Sequence, residues 1–249
     1  MLLLEGRLAI VTGAAGGIGF ETAKRFVELG ATVIVCSRKP KRALQVADKI
    51  GAGAIPEELD IADSQSVNRF TARISKKHHH LDILVNNAGY PFEREIWYKK
   101  FHEVTDDELS RVIDVDLKGT VRITQLCIPL MKKGGVIISI ASTPAIAGHT
   151  EGAPYTLAKS ALIAMTKHIA LEYGRQNIRA FALALGNIAT EATFESMTPS
   201  ERKKAAEENA LKRWGRPEEI ARTIASLATD DFAFATGNTI IVDGGTVLR

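Results

Sequence analysis

Tyr155 and Lys159 stand four residues apart in the stretch PYTLAK, and Ser142 closes an apolar run upstream of them. Positions i and i+4 share one face of a helix, so the spacing brings a phenol beside an ammonium. A phenol's ordinary pKa, about 10, is too high for ready proton exchange near neutral pH. A neighbouring ammonium favours the phenolate and makes the pair fit for general acid–base work. In isolation the same spacing would more often be a plain surface pair. Ser142 sharpens the reading, because it falls at the carboxyl end of a predicted strand, where open parallel sheets place ligands. Its alternative is a strand-end cap, and Ser139 is the nearby rival hydroxyl.

A second constellation concerns a phosphate-bearing ligand. VTGAAGGIGFETAKRF (11–26) follows an apolar run and opens a helical one, setting Gly13, Gly17 and Gly19 at a strand-to-helix turn. Without Cβ atoms the backbone N–H groups of such a turn can approach a pyrophosphate at the positive end of the helix. A dinucleotide site preferring NAD would place an acid at the end of the second strand, against the ribose 2′-hydroxyl. The sequence there, VCSRKPKRA (35–43), has none. Ser37 and the planar guanidinium of Arg38 suit a 2′-phosphate, with Lys39, Lys41 and Arg42 adding positive potential. NADP(H) is therefore expected over NAD(H); a solvated basic loop is the bland alternative.

The elements that must position these groups follow from the apolar runs. Segments 7–13, 32–38, 81–89, 135–142, 178–186 and 239–245 read as strands buried on both faces, with a weaker one near 53–61 that Pro56 compromises. Helical stretches at about 17–29, 40–50, 64–77, 105–132, 154–174 and 216–228 alternate with them, the pattern of a parallel sheet covered on both sides. This α/β arrangement predicts one doubly wound domain over residues 1–249. Segment 187–213, polar and rich in helix formers, reads either as a mobile substrate lid or as a plain solvated helix. Segment 90–104 carries Tyr90, Phe92, Trp97, Tyr98 and Phe101, which either wall a substrate pocket or pack an extra turn onto the body.

Composition narrows the partners. Thirty-two Lys and Arg against 29 Asp and Glu leave no basic field for nucleic acid or an anionic membrane, so a small molecule is favoured. MLLLEGRLAIVTG is interrupted by Glu5 and Arg7 and reads as a strand rather than a targeting segment, and no run is long enough to span a bilayer. Cys36 and Cys127 lie far apart without metal-ligand spacing, which fits a reducing, cytoplasmic setting. Three consecutive histidines, 78–80, point in different directions and read as a solvated turn, so no metal is expected.

TGAAGGIG (12–19), NNAG (86–89), Ser142, the Tyr155/Lys159 pair and VDGG (242–245), in this order across the whole chain, resemble the short-chain dehydrogenase/reductase family. WGRPEEIA and TGNTIIVDGG add a likeness to its 3-oxoacyl-acyl-carrier-protein reductase and sugar or polyol dehydrogenase branches. The resemblance implies a Rossmann-type fold and a carbonyl/alcohol substrate: Tyr155 as acid/base, Ser142 polarising the carbonyl, Lys159 tuning Tyr155 and holding the nicotinamide ribose. It further implies cofactor contacts from Gly13, Ala15, Gly17, Ile18, Gly19, Asp60, Ile61, Asn87, Ala88, Gly89, Gly186, Ile188 and Thr190, with Asn86 tying strands together, and a homotetramer.

Two positions depart from the family. Asp116 stands where it usually has an asparagine that helps hold a water of a proton relay to the lysine. The aspartate loses an amide donor and adds a charge near Lys159, which predicts an altered pH profile. Leu185 replaces the usual proline and frees the backbone there, putting cofactor affinity or loop order in question. These departures also motivate a rival reading of another class, a dinucleotide-binding sensor or scaffold with little catalysis.

Overall fold

A computed structural model describes residues 2–131 and 134–248. Seven parallel strands, β1 (Leu8–Val11), β2 (Thr32–Ser37), β3 (Ala54–Glu58), β4 (Ile83–Asn86), β5 (Gly135–Ser142), β6 (Ile178–Leu185) and β7 (Asn238–Val242), form one sheet in the order β3-β2-β1-β4-β5-β6-β7. The chain winds outward in both directions from the β1/β4 boundary, a Rossmann-type sheet whose crevice lies at that switch point. Pro56, opposite Val35 in the register, sits on edge strand β3, where its missing N–H costs no interior ladder bond.

Alternate strand residues feed two separate cores, as the period of two requires. Ala9, Val11, Val33, Val35, Ile83 and Val85 face α1 (Gly17–Glu28), α2 (Pro40–Ile50) and α11 (Pro217–Ala228), meeting Phe26, Val46 and Ile224. Leu8, Ile10, Ile34 and Leu84 face the opposite way, toward Phe70 of α3 (Ser64–Lys77) and helices farther along the chain. Cys36 and Cys127 are free and buried in this second core, and burial pushes the Cys127 thiol up to about 12. Fully burying an aliphatic or aromatic side chain is worth about 1.5–3 kcal/mol, so both faces contribute to holding the sheet.

After β4 come the short α4 (Arg94–Trp97) and α5 (Asp106–Ile113), the latter started by a capping box between Thr105 and Glu108. The helical stretch then loosens into a π-helical turn, Asp114–Gly119, before α6 (Thr120–Cys127). Further elements are α7 (Pro144–Ala147), α8 (Ala153–Tyr173), α9 (Glu191–Phe194) and α10 (Pro199–Glu207). The histidines follow α3 in the turn to β4, with His80 Nε2 3.2 Å from Asp82. Among the described residues, no helix is long and apolar enough to cross a membrane, and no three His, Cys, Asp or Glu side chains gather as a metal site would require.

Candidate active site

Ser142 is the last residue of β5 and pairs with Leu185, the last of β6. Its side chain is nearly buried, and its Oγ donates to the Leu185 carbonyl at 3.3 Å. The ladder carries on from Leu185 to Val242, so β6 stays regular to its end without the proline. Helix α7 packs against both β5 and α8, holding the end of this strand beside the start of the next helix. Ser139 lies deeper and accepts a hydrogen bond from Asn86 Nδ2 at 3.2 Å. The same amide nitrogen reaches Thr124 Oγ1 at 2.9 Å, so Asn86 ties β4 to β5 and α6 as expected.

Tyr155 and Lys159 occupy the first turns of α8, with the Lys159 ammonium 5.4 Å from the Tyr155 ring centroid. Lys159 is only 6% exposed. Its Nζ lies 3.2 Å from Oδ2 of Asp116, which is 0% exposed and whose Oδ1 accepts the Tyr90 N–H. The π-helical turn puts the carboxylate at this depth; such turns recur at functional sites because they re-aim a side chain without ending the helix. Burial alone would lower the Lys159 pKa, but Asp116 and Tyr155 outweigh it and hold it above the usual lysine range. A buried ammonium is thus kept charged by a buried carboxylate. Gly89 of NNAG closes the same corner: a Cβ there would stand 3.2 Å from Asp116 Oδ1 and 3.7 Å from Lys159 Nζ.

The other half of the crevice is built mainly from backbone. Helix α1 starts at Gly17 with neither a side-chain cap nor an acid in its first turn. No side chain therefore caps its leading N–H groups, an arrangement that could hold an anion such as a pyrophosphate. Gly19 packs so closely on the turn that a Cβ would meet the Gly13 carbonyl at 2.5 Å and Asn87 Nδ2 at 2.6 Å. Asn87 Nδ2 in turn donates to the carbonyls of Thr12, at 3.0 Å, and Gly13, at 3.2 Å, and Thr12 Oγ1 accepts the N–H groups of Asn87 and Ala88, both at 3.0 Å. The Asn87 side chain thus braces the glycine turn.

Ser37 Oγ accepts the Lys39 N–H, Arg38 is exposed, and Arg42 Nε donates to the Ala15 carbonyl at 3.1 Å, so the basic loop leans over the glycine turn. Asp60 accepts the Ala62 N–H, and the Ile61 carbonyl accepts Arg122. Beyond β6, the Gly186 N–H bonds to the Val242 carbonyl and Ile188 bridges Gly215. Thr190 reaches back to the glycine turn: a Cβ on Gly17 would lie 3.2 Å from its Cγ2. Strand-end serine and arginine with no acid, and a bare helix start, form a donor set that fits a dinucleotide bearing a 2′-phosphate.

The aromatic residues of 90–104 divide. Trp97 stands 5.6 Å from the Tyr155 ring and 5.7 Å from Phe92, centroid to centroid. Tyr98 lies under the Arg94 guanidinium, Phe101 is 75% exposed, and the Tyr90 hydroxyl donates to Glu93. Segment 187–213 is tied down at several points. Phe194 meets Trp214 edge-on with Arg202 over its ring, Asn187 donates to Ala205, and Glu201 of α10 pairs with Arg94 of α4 at 2.9 Å. Sequence reasoning missed the Arg94–Glu201 and Arg42–Ala15 links, since neither charge spacing nor periodicity relates such distant positions.

Comparison with known proteins gives the family. Residues 13–247 match a family model described as enoyl-(acyl carrier protein) reductase. The 3-oxoacyl-[acyl-carrier-protein] reductase of Thermotoga maritima is 33% identical over 98% of this chain and 99% of its own. The 7alpha-hydroxysteroid dehydrogenase of Bacteroides fragilis is 33% identical, covering 98% and 96%. Dehydrogenase/reductase SDR family member 4 of Oryctolagus cuniculus, also 33% identical, covers 99% and 95%. The chain belongs to the short-chain dehydrogenase/reductase family, oxidoreductases that interconvert CH–OH and carbonyl groups with a nicotinamide dinucleotide.

Proposed function

We propose that the protein is an NADPH-dependent reductase of a carbonyl, of the 3-oxoacyl type, with Ser142, Tyr155 and Lys159 carrying the chemistry. The observation that bears most weight is the charged Lys159, buried beside the Tyr155 ring and 3.2 Å from the Asp116 carboxylate. When bound, the dinucleotide supplies a nicotinamide that gives or takes hydride at the carbonyl carbon. The start of α1, from Gly13 through Ala15 and Ile18 to Gly19, binds its pyrophosphate, and Ser37 and Arg38 bind the 2′-phosphate. Asp60 and Ile61 would lie beside the adenine, Asn87, Ala88, Gly89 and Lys159 beside the ribose, and Thr190 would contact the carboxamide, with Gly186 and Ile188 in the same loop.

In reduction, negative charge develops on the carbonyl oxygen. Ser142, its hydroxyl turned from the Leu185 carbonyl, offers that oxygen a hydrogen bond and Tyr155 delivers its proton, while Lys159 steadies the phenolate that remains. Asp116 moderates Lys159. Segment 187–213 acts as the lid, and the assembly is a homotetramer; exposed Leu157 and Leu171 on α8 support a covered helix face. Nicotinamide absorbance tests the reading: its loss with NADPH and NADH in parallel against acetoacetyl and crotonyl thioesters and diketones, and its gain with NADP+ and NAD+ in parallel against polyols. Turnover of the acetoacetyl thioester with NADPH is expected. Turnover confined to polyols would make it a polyol dehydrogenase, and tight NADPH binding without turnover would make it a sensor.

A further inference from the structure

We infer that Trp97 is a specificity-determining residue that selects substrates whose ketone is carried on an extended apolar body. The inference rests on the carbonyl chemistry proposed above and adds the class of molecule that chemistry acts on.

Trp97 is built into the start of the helix that carries Tyr155. Its carbonyl accepts the N–H of Gly152, the residue preceding α8, at 2.8 Å, and its indole Nε1 donates to Glu151 at 3.1 Å. Gly152 has φ +68°, and a Cβ there would meet the indole at 2.6 Å, so only glycine lets the ring lie so close. The ring is thereby fixed relative to Tyr155, and Phe92 and His149 extend the aromatic group on its other sides.

The polar groups of this wall are engaged with one another. Tyr90 donates to Glu93, Glu151 holds the indole N–H, and His149 Nδ1 accepts the Glu151 N–H. Trp97 and Phe92 are each half-buried, leaving carbon surface beside the phenol. A polyol needs several converging polar contacts at this point, whereas an acyl chain or a fused-ring ketone needs apolar area.

The test compares kcat and KM of the native protein, Trp97→Ala and Trp97→Leu on an acetoacetyl thioester, a 3-oxooctanoyl thioester, a fused-ring ketosteroid and a polyol. The native protein should favour a long or fused body through KM, and Trp97→Ala should reduce that preference over acetoacetyl thioester by roughly ten-fold. Trp97→Leu should restore part of it. The two extended substrates distinguish chain from ring. Binding is read independently by tryptophan emission: the ketosteroid should quench native emission, and Trp97→Phe should abolish the change. An unchanged length preference in Trp97→Ala, a preferred polyol, or identical emission responses in native protein and Trp97→Phe would overturn the inference. The carbonyl reading fails separately, by absent turnover in the native protein.

Discussion

The two walls of the crevice are made of different material. On the cofactor side the working parts are main-chain: an uncapped helix start, a glycine turn with no room for a Cβ, and Thr12 and Asn87 bracing it. On the catalytic side they are side chains from separate segments. Asp116 meets Lys159 from a π-helical turn, Trp97 meets Tyr155 from α4, and Arg94 meets Glu201 across to α10. A wall of backbone is suited to one task, and its sequence is constrained to glycine at a few points. A wall of side chains can be retuned one residue at a time, and the buried Asp116 beside Lys159 is one such residue.

Substitutions on the two walls should fail differently. Ser142→Ala should lower kcat by about 10²–10³-fold with dinucleotide affinity retained, since it removes one hydrogen bond to the developing oxyanion. Steady-state kinetics beside a fluorescence titration with NADPH checks this. Arg38→Ala should act on binding instead, reducing the preference for NADPH over NADH by about 10- to 100-fold through loss of a charge-assisted bond to phosphate. The ratio of kcat/KM for the two cofactors measures it.

Asp116→Asn should leave activity but move the pH–rate curve of alcohol oxidation toward acid by about one unit. Asp116 raises the Lys159 pKa and offsets its charge, so removing the carboxylate leaves an ammonium free to favour the phenolate. Superimposable curves would make Asp116 a purely structural residue. Glu201→Gln should have the smallest effect, a change in KM below about five-fold, because its pair with Arg94 is surface-placed. Arg94, then the Thr198 backbone N–H, lower the Glu201 pKa from 4.5 to about 2. Its contribution is therefore complete above pH 4.5 and lost as pH falls toward 2. Acid unfolding of native protein and Glu201→Gln should diverge above pH 4.5 and converge below 2.

Legibility in the sequence follows the same division. Strand runs, the glycine turn and the Tyr155/Lys159 spacing are local patterns, and each corresponds to an element or turn in the structure, down to the compromised Pro56 strand at the sheet edge. The stretch 105–132 reads as continuous helix because a π-helical turn preserves helical composition; what marks it is the depth of Asp116, a tertiary fact. The aromatic residues of 90–104 offer no order of importance in sequence. Only contact with Gly152 and Tyr155 separates Trp97 from exposed Phe101.

The most direct test of Tyr155 as the proton donor is NADPH oxidation by Tyr155→Phe on the best carbonyl substrate, with NADPH affinity measured on the same sample. Turnover reduced by about 10²–10⁴-fold at unchanged affinity is the predicted result. Turnover within a few-fold of the native protein would contradict the assignment and place the proton transfer elsewhere.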